Sequence, residues 1–158
     1  LLPRTASMTP EQLTTELHRL IPLTAAMQVE VVDLRPESLI LQAPLDANRN
    51  HAGNAFAGSL YALASIAGWA FLYQLTQRES VPAELVLADG RIRYRRPVRK
   101  TLFAQVLLPS DEQQRFLASL IGGHRTRLRL DVGVPDLEQP AALFQGLYVA
   151  VPAALPTA

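Results

Sequence analysis

The sequence predicts an α+β domain in which a curved antiparallel β-sheet wraps around one long central helix. Two observations carry this. From Ala52 through Gln77 the chain bears no formal charge and is rich in Ala, Gly and Ser, as a helix buried on nearly all sides requires. On both sides of that stretch, segments alternate apolar and polar residues at the two-residue period of half-buried strands. The order is a helix, two strands, the long helix, then four strand-like segments with a short helix among them.

Each element has its own signals. Thr9, Pro10 and Glu11 read as an N-cap, a proline at the first helical position and an acidic first turn. Leu13, Leu17, Leu20 and Ile21 follow at helical spacing, and Pro22 is expected to end the helix. Val29–Leu34 and Leu39–Ala43 flank Arg35-Pro36-Glu37-Ser38 and read as a hairpin. A polar, glycine-punctuated loop then leads into a helix over 57–77, which the segment from Arg78 to Pro82 closes. Leu85–Ala88 and Arg91–Arg95 read as one long strand with a bulge at Asp89-Gly90. Leu102–Leu108 is a further strand. Ser110-Asp111-Glu112 opens a helix that buries Phe116, Leu117 and Leu120 and stops at Gly122-Gly123. Arg125–Val134 alternates again, and Leu143–Val151 is the last strand. The domain is therefore expected over 9–152, with a flexible leader at 1–8 and a flexible tail at 153–158.

Bulk composition narrows the function classes. Hydrophobic residues make up 49% and charged residues 18%, which describes a packed domain rather than a disordered one. A net charge of +1 gives no global case for nucleic acid. The absence of cysteine excludes disulfides and thiol catalysis and leaves cytoplasm as the default compartment. The uncharged stretch is long enough to span a bilayer, but it holds few large aliphatics, so a buried helix is preferred and no membrane partner is expected.

The loop Asn48-Arg49-Asn50-His51-Ala52-Gly53-Asn54-Ala55-Phe56-Ala57-Gly58-Ser59 carries the chemistry. Backbone N–H groups at a helix start hold partial negative charge, and an amide beside them can donate to a carbonyl oxygen. Asn50 is the leading candidate, and it is equally suited to capping its own loop. His51 is a candidate base. It has no second ligand at suitable spacing, so no metal is expected. Gly53 and Gly58 suit backbone geometry, and the N–H groups of Ala57 and Gly58 suit an oxyanion contact. Ser59 and Ser65 are polar groups on a helix where small residues also serve close packing. Asp46 and Asp89 are the nearest carboxylates in sequence. Arg91, Arg93 and Arg95 share one strand face and Arg125, Arg127 and Arg129 another; neighbouring strands would merge them into an arginine patch. Otherwise they form a solvated outer face. Arg96, Arg99 and Lys100, at a strand end, are placed to meet phosphates.

The words Asn48-x-Asn50-His51-x-Gly53-x-x-Phe56-x-Gly58-Ser59-Leu60-Tyr61, Gly68-Trp69, Ala88-Asp89-x-x-Ile92-x-Tyr94-x-x-Pro97-Val98, Arg127-x-x-Leu130-Asp131-Val132 and Gly146-x-Tyr148-x-x-x-Pro152 run from end to end of the domain. Together they resemble the hotdog fold, and within it the thioesterase-like family first described as the C-terminal domain of the YiiD acetyltransferase. The resemblance implies a homodimer or tetramer with sheets joined edge to edge. It implies acyl-CoA or acyl carrier protein thioesters bound between protomers, with the carbonyl over the start of the central helix. Coenzyme A would enter only as part of the substrate, with no separate cofactor. On this comparison Asn50, His51, Ala57, Gly58, Asp46 and Ser65 are the candidate catalytic residues. Asn48, Gly53, Asn54, Phe56, Ser59, Asp89, Arg96, Arg99 and Lys100 are the candidate substrate contacts. Leu63, Trp69 and Tyr73 are expected to bound the acyl chain. The chain departs from many hotdog enzymes in one respect. Their helix carboxylate is missing, and Ser65 stands where it would be. A non-catalytic acyl-CoA or lipid-binding module is the alternative, and an interaction domain a third.

Overall fold

Helix α1 (Pro10–Leu20) begins with a capping box: Thr9 Oγ1 accepts from the Gln12 N–H, and Gln12 Oε1 accepts from the Thr9 N–H. The computed structural model describes residues 6–153, so most of the expected tail and the start of the expected leader lie outside the described residues. Met8, assigned to the leader, packs against the core one residue before the cap, with Leu13 buried at the matching position of a hydrophobic staple. Pro22 does not simply stop α1. It opens a second short helix, α2 (Pro22–Ala26), because its fixed φ suits a first helical position.

Strands β1 (Glu30–Arg35) and β2 (Ser38–Ala43) form the expected hairpin. A one-turn helix, α3 (Leu45–Asn48), follows where the sequence reads as loop. The long helix α4 spans Ala57–Arg78. It is followed by β3 (Ala83–Tyr94), β4 (Leu102–Leu107), α5 (Ser110–Ile121), β5 (Thr126–Val134) and β6 (Ala142–Pro152). The six strands make one sheet in the order β1-β2-β4-β5-β6-β3, antiparallel throughout. The fold is thus the expected α+β hotdog arrangement, with α4 packed on the inner face against β2 through β6. Among the described residues, no helix is long and apolar enough to cross a membrane.

The core forms because α4 offers both bulk and small residues to the sheet. Leu63, Phe71, Leu72 and Leu75 are fully buried, and each such side chain contributes about 1.5–3 kcal/mol. Ala64, Ala67, Gly68 and Ala70 let the strands approach. At Gly68 the approach is closest: the phenol of buried Tyr148 occupies the space a Cβ would need, and its Oη donates to Ser65 O at 2.7 Å. Burial pushes the Tyr148 phenol well above its ordinary pKa, so it stays a donor.

The bulge in β3 falls one residue earlier than expected, at Ala88, where the register steps from Leu87↔Tyr148 to Asp89↔Leu147. That single residue turns Gly90 to the inner face and Asp89, Arg91 and Arg93 to the outer one. Strand β6 lies between β3 and β5, so the two arginine rows do not merge into a patch. Asp89 and Arg129 flank Leu147, and Arg91 and Asp131 flank Gln145. The outer face is therefore a mixture of opposite charges. Strands β1 and β3 are the sheet edges, and β3 leaves its whole outer edge unpaired within the protomer.

Gly68→Ala should lower unfolding free energy by about 1–3 kcal/mol in urea titrations, because the new methyl meets the Tyr148 ring. Adding Tyr148→Phe should recover part of the loss.

Candidate functional site

Helix α4 begins without a side-chain cap. Phe56 holds the N-cap position in extended backbone and offers no acceptor, so the N–H groups of the first turn, at Ala57, Gly58 and Ser59, are left for another partner. The helix dipole adds positive potential there. The Phe56 ring lies over Gly58, in space that any Cβ at that position would enter.

The preceding loop is organised by Asn50. Its Oδ1 accepts from the N–H groups of Ala52 (2.9 Å) and Asn54 (3.1 Å), while its backbone N–H donates to Asn54 O (2.6 Å). Gly53 takes the left-handed conformation this turn needs, with φ of 80°. The Oδ1 atom is thus spent, and the Nδ2 amide has no hydrogen-bond partner among the described residues. Two backbone bonds hold the loop in place: Phe56 N–H to Asn48 O (2.7 Å) and Ala55 N–H to Val98 O (2.8 Å). The second brings the loop against the segment that follows β3.

Between them lies a cleft of about 370 Å³, lined by Asn50, Asn54, Ala57, Leu60, Tyr94 and Val98 among others. Tyr94 closes one wall by donating to Ala57 O at 2.7 Å. Burial raises the Tyr94 phenol above its ordinary pKa, and the nearby Tyr61 phenol adds to the shift. A second cleft, of about 570 Å³, shares Arg96, Pro97 and Val98 with the first and continues past Arg99, Lys100, Phe103 and Pro135. Arg96 is anchored through Nη2 to Gln139 O at 2.6 Å.

The structure therefore brings Asn50, Asn54, Ala57 and the start of α4 together, with Arg96, Arg99 and Lys100 next door. Other candidates lie elsewhere. Asn48 is buried, and its Nδ2 donates to Met27 O (2.9 Å) and Pro44 O (2.8 Å), bracing the loop from behind. Asp46 is exposed on α3 and His51 is exposed at the turn tip; neither lines either of these two clefts. Asp89 faces outward, in a separate hollow with Arg91, Arg129 and Asp131. Ser59 is half-buried in the first turn of α4. Ser65 lies further along, its Oγ donating to Ala62 O at 2.9 Å. Leu63 is fully buried in the core, whereas Trp69 and Tyr73 are half-exposed and stacked, ring centroids 5.0 Å apart. No cluster of His, Asp or Glu suited to a metal occurs among the described residues. Tyr94 is a cleft residue outside the sequence-based candidates; its place at the end of a strand just before Pro97 is the signal for it.

Residues 10–152 match a protein family described as "Putative thioesterase (yiiD_Cterm)". The chain belongs to this family. Solved structures are similar to the chain as well. A "putative thioesterase" from Shewanella oneidensis is 31% identical, with 90% of this chain and 97% of that one covered and a TM-score of 0.81. A protein of unknown function from Chlorobaculum tepidum is 28% identical, with 94% and 100% covered and a TM-score of 0.85. A "probable thioesterase" from Pseudomonas aeruginosa, at 19% identity and a TM-score of 0.76, shares the fold. The loop before α4 in this chain thus contains two asparagines with separate positions, Asn48 behind the loop and Asn50 at the cleft.

Asn48→Ala removes both donations of a buried amide, to Met27 O and to Pro44 O. It should cost about 1–3 kcal/mol of stability in chemical denaturation.

Proposed function

We propose that this member of the YiiD C-terminal family hydrolyses acyl thioesters, with coenzyme A or an acyl carrier protein as the thiol. The observation that carries this is an uncapped helix start beside an amide with an unspent donor, both at a cleft. A thioester carbonyl placed there would take hydrogen bonds from Asn50 Nδ2 and from the N–H groups of Ala57 and Gly58. Each such donor lowers an acyl-transfer barrier by about 2.7–4 kcal/mol when it meets the developing oxyanion. Water would attack the carbonyl carbon, the C–S bond would break, and the thiol would leave. Arg96, Arg99 and Lys100 suit the phosphates of coenzyme A. The unpaired β3 edge supports pairing with a second copy, a homodimer at minimum.

A second reading, binding without turnover, draws on one fact. Among the described residues, no His, Asp or Glu lines either cleft of a single protomer. Such a site polarises a carbonyl with no base of its own.

The test is thiol release from short-, medium- and long-chain acyl-CoAs. Release by the wild type is expected. Asn50→Asp keeps the Oδ1 contacts of the turn and removes the donor, so kcat should fall about 10²–10³-fold. The paired change Arg99→Glu, Lys100→Glu should raise KM for acyl-CoA and leave kcat near wild type, an effect that shrinks as salt rises. Tight acyl-CoA binding with no release would favour the second reading.

A further inference from the structure

Tyr94 is the last residue of β3, and the chain just beyond it is clamped: the N–H groups of Arg95 (2.7 Å) and Arg96 (3.2 Å) both donate to Ala141 O. The bulge at Ala88 decides where the Tyr94 side chain goes. Past it, Gly90, Ile92 and Tyr94 share the inner face of the sheet. Without it, Tyr94 would face outward. The ring instead comes to the start of α4 and walls the cleft that Asn50, Ala57 and Leu60 also line.

The hydroxyl makes one contact there, donating to Ala57 O at 2.7 Å. Ala57 is the first residue of α4, and helix geometry already supplies its carbonyl with a donor, the N–H four residues on. The bond from Tyr94 is therefore a second one, beyond what the helix needs to satisfy that oxygen. Tyr94 is 46% exposed, so its hydroxyl fills no gap in the core. The carbonyl it meets belongs to the peptide unit whose other end is the Gly58 N–H, one of the uncapped donors of the first turn. A peptide is one conjugated unit, and linked hydrogen bonds polarise one another. Drawing electron density toward Ala57 O leaves the Gly58 N–H more positive. The same bond ties the plane of that peptide to a fixed strand end.

We infer that Tyr94 is a positioning residue for thioester hydrolysis: its Oη, through Ala57 O, orients and polarises the peptide whose Gly58 N–H meets the developing oxyanion. The inference rests on the thioesterase reading above. Tyr94 keeps its proton throughout and acts only through the Ala57–Gly58 peptide. Burial holds its phenol above the ordinary range, so it remains a donor at neutral pH.

Tyr94→Phe keeps the ring and removes the bond, and two measurements test the consequence. In thiol release from the best acyl-CoA of the panel, kcat should fall about two- to eightfold. That is about 10–30% of the two to three decades that a whole oxyanion donor supplies. KM and the midpoint of thermal unfolding should stay close to wild type. In the NMR spectrum of the free protein, the Gly58 amide ¹⁵N resonance should move upfield as its peptide loses polarisation. Wild-type kcat in Tyr94→Phe would overturn the inference and leave the thioesterase reading standing. A kcat loss with an unmoved Gly58 resonance would overturn it too, as would a loss that comes with a raised KM and a lowered unfolding midpoint, since the hydroxyl would then be structural. No release by the wild type on any substrate would remove the thioesterase reading and this inference with it.

Discussion

The burial of α4 along nearly its whole length is the constraint on which the rest of the structure depends. Along its enclosed length, a helix packed against five strands can carry no charge and must be thin where the sheet comes near. The sequence meets both demands, with an uncharged run and with Ala64, Ala67, Gly68 and Ala70 on the packed side. Gly68 and Tyr148 show how tight the fit is, since a methyl group at 68 has no room and the Tyr148 hydroxyl ties the helix to β6. Interiors packed this closely hold their neighbours in one arrangement.

From that constraint the site follows. A helix so enclosed is approachable where it starts, at the rim of the sheet. There the N-cap is Phe56, which satisfies no backbone donor, and the turn built by Asn50 sits beside it. The loop is anchored on both flanks, through Asn48 to the α2–β1 corner and through Ala55 to Val98. Donors that are fixed before a ligand arrives cost nothing to orient afterwards, which is what makes such a rim effective against a developing negative charge. The neighbouring cations extend the same site along the segment after β3.

Much of this was legible in the sequence. The capping signals of α1, the hairpin, the uncharged helix and the alternating late strands all reflect local rules, and each was found within a residue or two of its place. What was not legible depended on position across the fold. Asn48 and Asn50 are chemically identical and two residues apart, yet one is buried bracing backbone and the other lines the cleft. The two arginine rows look alike in sequence, but strand order places β6 between them. The bulge at Ala88 rather than Asp89-Gly90 is a one-residue difference, and in a strand that decides which side chains face inward.

The central claim is that Asn50 and the start of α4 polarise a thioester carbonyl. Its most direct measurement is the ¹³C resonance of a carbonyl-labelled, non-hydrolysable ketone analogue of an acyl-CoA bound to the protein. The account predicts a downfield shift of the bound carbonyl in the wild type and a smaller shift in Asn50→Asp. A saturated complex whose carbonyl resonates as in water would contradict it.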